Sequence, residues 1–160
     1  MTISEKEALV AFKTSVLGKF PGASFVNVAV KRFSSNNRIL IPVESTTADN
    51  QKNRVVKFKS ILVASIPKKK FEPIMIYTKS KQVMACARLT THGGHIAVEI
   101  ARKIARQQGT KLVILGDNVL CFIILDVQSM DAIASFFNAA IEKLLVANDA
   151  FHARINQLIA

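Results

Sequence analysis

What is scarce in this 160-residue chain limits what it can be. There are two cysteines, Cys86 and Cys121, set inside apolar runs, too few for a disulfide framework in a chain long enough to fold without one. Both read as reduced, buried thiols of a cytoplasmic protein. Long apolar runs are missing too. Uncharged stretches such as Asn118 to Leu125 and Ala132 to Ile141 fall short of the roughly 18–20 residues that a bilayer-spanning helix needs, so no membrane association is expected. The opening Met1-Thr2-Ile3-Ser4-Glu5-Lys6-Glu7 carries acids where a leader carries only bases, and no targeting segment is expected there. Acids are few overall, 11 against 22 Lys and Arg, for a formal charge of +11. Yet 50% of the residues are hydrophobic, which excludes disorder for most of the chain and allows one core-forming domain over 1–160.

Recognisable chemistry is equally sparse. His92 and His95, in Thr91-His92-Gly93-Gly94-His95, are the only clustered imidazoles. A metal site needs a third ligand, and none stands at a fitting spacing, so neither a metal nor a cofactor is expected. Gly93-Gly94 ahead of a helix invites an anion, but no Walker loop or G-x-G-x-x-G pattern is present, and two glycines ordinarily just permit a tight turn. The cysteines lie in strand-like apolar surroundings, and Glu72, Glu99, Asp117 and Asp126 are isolated in sequence. Catalysis is therefore not expected.

What the chain does carry is a legible change of periods. Ser4 and Glu7 have capping-box spacing, and Ala8, Leu9, Phe12, Val16 and Leu17 then predict one face of a helix that Phe20-Pro21-Gly22 stops. Phe25 to Phe33 and Ile39 to Val43 read as strands joined by a hairpin turn at Ser34-Ser35-Asn36-Asn37. Glu44 to Asn53 reads as a loop. Arg54 to Ile66 is strand-like, with Val56, Phe58 and Leu62 on one side and Lys57 and Lys59 on the other. Ile74 to Thr78 and Val83 to Leu89 follow as another pair.

Ile96, Ala97, Ile100, Ala101, Ile104 and Ala105 then form a helical stripe ending at Gly109. Glu99 is spaced to pair with Arg102 and Lys103. Lys111 to Leu115 and Val119 to Val127 make a hairpin apolar on both faces. From Ser129 a long helix runs toward Leu158, with a possible break at Ala147-Asn148-Asp149. The fold class is α+β: an N-terminal helix, a mainly antiparallel sheet of about five strands, a helix, a β-hairpin and a long C-terminal helix. The helix-hairpin order occurs twice, at Glu5 to Val43 and Ile96 to Val127, a hint of duplication.

The charge is uneven. Residues 1–81 hold fifteen Lys and Arg against five acids, whereas 82–160 hold seven against six. The chain divides into a basic sheet half, 1–90, and an apolar helix-hairpin-helix half, 91–160. Lys52, Arg54, Lys57, Lys59, Lys68, Lys69, Lys70, Lys79 and Lys81 face one acid, Glu72, and are read as a contiguous surface for nucleic-acid phosphates. Phe33, Phe58, Phe71 and Tyr77 lie nearby as possible stacking residues.

Phe137, Ile141, Leu144, Asn148, Phe151, Ile155 and Leu158 alternate spacings of four and three, the seam of a coiled coil, with Asn148 where a buried Asn fixes register. The seam is read either as a homodimer interface or as the face lying on the chain's own sheet. Ile133, Phe136, Ala140 and Leu145 form a second flank.

The order from the Ile96–Gln108 helix through the Lys111–Val127 hairpin to Ser129-Met130-Asp131, Phe136-Phe137 and Phe151 resembles the C-terminal half of class I type III secretion chaperones and YbjN-like proteins, over roughly residues 93–159. The resemblance implies a homodimeric, non-catalytic fold that binds a protein segment. The leading expectation is a non-enzymatic protein, dimeric through its last helix, that binds nucleic acid with little sequence specificity. The alternative is a partner-binding module or an assembly factor of a larger particle.

Overall fold

The computed structural model describes residues 3–33, 38–42, 53–91, 94–116, 118–125 and 130–159. Its first helix, α1 (Glu5–Lys19), starts as the capping spacing requires: Ser4 Oγ accepts the Glu7 backbone N–H at 3.2 Å. Ala8, Ala11, Phe12 and Val16 point inward, while Leu17, expected on that face, is exposed. Strand β1 (Ser24–Val28) stops five residues short of the expected Phe33, because Val30–Phe33 form a single helical turn, α2. Strands β2 (Arg38–Pro42) and β3 (Asn53–Ser65) follow, then β4 (Pro73–Thr78) and β5 (Val83–Thr90).

The first two strands do not pair with each other. β1 lies antiparallel to the C-terminal half of β3 and β2 to its N-terminal half, so the expected first hairpin is replaced by two strands on one long partner. The hint of duplication goes with it. The turn expected at Ser34–Asn37 and most of the expected loop lie outside the described residues.

The second half runs α3 (His95–Gln108), β6 (Lys111–Leu115), β7 (Asn118–Leu125) and α4 (Met130–Ile159). Gly109 caps α3 in the left-handed region at φ 67, where glycine carries no Cβ penalty. The hairpin β6–β7 enters the main sheet through β7, giving the order β1-β3-β4-β5-β7-β6 with β2 attached to β3, antiparallel throughout. The fold is α+β, and its two sequence halves share one sheet.

That sheet has two apolar faces. Helices α1, α3 and α4 cover the first, packing on residues such as Leu62, Met75, Ala85 and Cys121. The second carries Phe58, Ile74, Ile76, Met84, Cys86 and Leu120, and the sheet rolls over it until β2 approaches β6. A β-bulge between Phe58 and Ser60 decides which residue goes where. Val56 and Phe58 face the rolled side as the alternation predicts, but beyond the bulge Ile61 takes that side and Leu62 turns to the helices. Leu62 therefore does not share a face with Val56 and Phe58.

Helix α4 is continuous for 30 residues, without the expected break at Asn148. Phe137, Ile141, Leu144, Asn148 and Phe151 are each at most 2% exposed and packed within the chain. Of the seam read as a dimer interface, these five are turned inward; Ile155 is half-buried and Leu158 exposed. The physical reason is the three-four spacing itself, which serves a sheet as well as a partner helix. Phe137 meets Phe12 edge to face, ring centroids 5.4 Å apart, tying α4 to α1. Among the described residues no helix is long and apolar enough to cross a membrane.

Candidate functional site

The lysines are collected by turns. Strands β3, β4 and β5 run side by side, and their connecting turns lie at opposite ends. Six residues of β4 separate the ends, about 20 Å at ~3.3 Å per residue. The lysines whose side chains are described therefore do not form one surface; they fall into two groups.

At one end Pro67–Lys70 joins β3 to β4, with Lys68 in the left-handed region at φ 62. This turn is fastened to α4. The Asn148 Nδ2 donates to the Lys70 carbonyl at 2.7 Å, and Lys69 Nζ lies 3.5 Å from an Asp149 carboxylate oxygen. One turn along α4, His152 is half-buried; burial and the nearby Lys70 ammonium hold its pKa below the usual histidine value, against the opposing pull of Asp149. Of the three ammonium groups here, only that of Lys69 is in an ion pair among the described residues, while the Asn148 bond holds the backbone of Lys70.

At the other end Lys79–Gln82 joins β4 to β5. Buried Thr78 organises it: its backbone N–H and hydroxyl both donate to the Gln82 carbonyl, and its hydroxyl oxygen accepts the Gln82 N–H at 3.0 Å. Lys81 sits at φ 63. The Lys79 N–H donates to the Lys57 carbonyl at 2.9 Å, bringing β3 against the turn. Lys57, Lys79 and Lys81 are all exposed, and among the described residues none is in an ion pair. Beside them Lys59 reaches Glu5 at 3.6 Å and stands 5.9 Å from the centre of the Tyr77 ring.

Lys52 lies outside the described residues. Arg54 is placed by its backbone alone, opposite Ile41. Arg38, not among the expected phosphate contacts, is paired in register with Lys57, a place that follows from β2 lying on β3 and that the residues of β2 do not reveal.

Three of the four expected stacking residues are not at the surface. Phe58, Phe71 and Tyr77 are at most 3% exposed. Tyr77 donates its hydroxyl to the Ile3 carbonyl at 2.6 Å, and burial with Glu5 and Glu7 nearby raises its pKa. The side chain of Phe33 lies outside the described residues.

The thiols face away from each other, Cys86 into the rolled face and Cys121 toward the helices. Burial raises both pKa values, that of Cys121 to about 12, so neither is ionised near neutrality. Among the described residues no three His, Cys, Asp or Glu converge as a metal would need. His92 and Gly93 lie outside the described residues. Gly94 has an extended backbone with open space where a Cβ would be, so this turn does not require a glycine there. Glu99 pairs with Arg102 at 3.5 Å.

No protein-family model, curated protein or solved structure matches the chain.

Proposed function

We propose that the corner of Lys57, Lys79 and Lys81, flanked by Lys59 and backed by the Arg38 position, binds the phosphate backbone of nucleic acids without reading sequence. One observation carries this: three exposed lysines are drawn together by a backbone hydrogen bond and a Thr78-braced turn, with no ion-pair partner among the described residues. Burial of Phe58, Phe71 and Tyr77 argues for phosphate contact over base stacking. The activity is non-enzymatic binding, and it does not need a second copy through the α4 seam.

Fluorescence anisotropy with a 20-base-pair duplex, at two salt concentrations, tests it. Binding should weaken with a log–log slope of about −0.9 for each phosphate neutralised, hence about −3 to −4 for this corner. Lys57→Glu with Lys79→Glu and Lys81→Glu should abolish binding at low salt, while Lys68→Glu with Lys69→Glu should change it little. Absence of binding by the native chain at low salt would sink the proposal.

A further inference from the structure

Away from the lysine corner, an open groove of about 780 Å³ runs between α3 and the second half of α4. The two helices are antiparallel along it. Ile100, Lys103 and Ile104 line it opposite Ala150 and Arg154, while the Lys143 Nζ lies 3.7 Å from where a Cβ on Gly109 would stand. On α3, Ile96, Ile100 and Ile104 recur every four residues as a single stripe, fully buried only at Ile104, half-buried at Ile100 and 66% exposed at Ile96. The antiparallel run brings the end of α4 toward that open end, where Leu158 is 52% exposed.

The rim is cationic. Lys103, Arg106 and Arg154 border the groove, and among the described residues none of them is in an ion pair. The one carboxylate in the lining, Glu99, is engaged by Arg102. Arg106 also suits the negative end of α3, but Lys103 lies before that last turn, and Arg154, on α4, bonds only the neutral Gln157 amide oxygen, at 3.1 Å.

We infer that this groove docks an amphipathic acidic helix from a protein partner, apolar face on the isoleucine stripe and carboxylates against the rim. Two helices with an aliphatic furrow between them leave the place of a third helix, and the span from Ile96 to Arg106 matches about three turns. An aliphatic floor without an exposed aromatic ring suits leucine-type anchors better than nucleobases. The inference is independent of the lysine corner.

A labelled synthetic peptide of about 14 residues, with leucines at i, i+3, i+4 and i+7 and glutamates flanking them, is the probe. A counterpart with lysines for the glutamates is the control. The acidic peptide should bind saturably and the basic one should not. Lys103→Glu with Arg154→Glu should weaken the acidic peptide by about tenfold or more and let the basic one bind. Ile100→Lys should block both. Circular dichroism and the melting temperature of each variant check that it is folded. Failure of the acidic peptide to saturate, equal binding of the two peptides, or indifference to charge reversal would overturn the inference. Loss of duplex binding on the same reversals would instead assign the groove to polyanion contact and overturn it equally.

Discussion

Single residues in this chain often serve a neighbour that spacing cannot identify. Asn148 occupies an apolar-stripe position, and its burial follows from the periodicity; that it clasps the Lys70 carbonyl, 78 positions away, does not. Replacing it with alanine should cost about 1–2 kcal/mol in chemical denaturation, and Asn148→Asp more, because a carboxylate oxygen would then face the Lys70 carbonyl. His152 contributes in the same place. Its pKa is lowered in the folded chain, so the unfolded chain takes up its proton first; stability is retained above the ordinary value near ~6.5 and is lost as pH falls below it. Denaturation midpoints at pH 7.5 and 5.5 should differ less in His152→Gln than in the native chain. Lys81 makes the opposite trade. Lys81→Gly should raise stability by about 0.5–1 kcal/mol by relieving a left-handed backbone, while removing one phosphate contact and flattening the salt slope by about one unit.

At the scale of elements, α1, α3 and the β6–β7 hairpin are legible because each has a clear period and recognisable ends, as at Ser4 and Gly109, and α4 is legible apart from the break expected where the polar Asn148 interrupts its apolar stripe. The edge was less so. Alternation in Phe25–Phe33 runs through a point where the chain turns helical, and nothing local to β1 or β2 reveals that their common partner is β3. The bulge in β3 was equally hidden, since a bulge is an extra residue and not a residue type. Its importance can be measured by deleting Lys59. Lys59→Ala should cost well under 1 kcal/mol, as exposed ion pairs do. Deleting the residue leaves plain alternation with Ser60 still opposite Tyr77 and Leu62 opposite Met75 and should keep a cooperative transition by circular dichroism, whereas inserting one residue after Ser60 sends Leu62 and Ala64 to the wrong face and should leave none. Seating of α4 has a comparable probe: Phe137→Ala should cost about 3–5 kcal/mol through the cavity left against Phe12.

For the whole molecule, segment totals concealed where charge would be spent. Residues 52–81 look like one basic surface on paper because a sum over sequence ignores that successive turns open at opposite ends of a sheet. Like charges gathered in the Lys57, Lys79 and Lys81 corner on a chain of +11 repel, so the melting temperature should rise by a few degrees when salt goes from about 10 mM to about 150 mM. The pairing of β5 with β7 has a further consequence in time. β5 ends at Thr90 and β7 begins at Asn118, so a ribosome moving at about 5–20 residues per second completes the first strand roughly 1–6 s before its neighbour starts to emerge. Throughout that interval the growing chain exposes a bare strand edge of Val83-Met84-Ala85-Cys86-Ala87, and the cations beside it, Lys79, Lys81 and Arg88, are what stand between that edge and the next nascent chain.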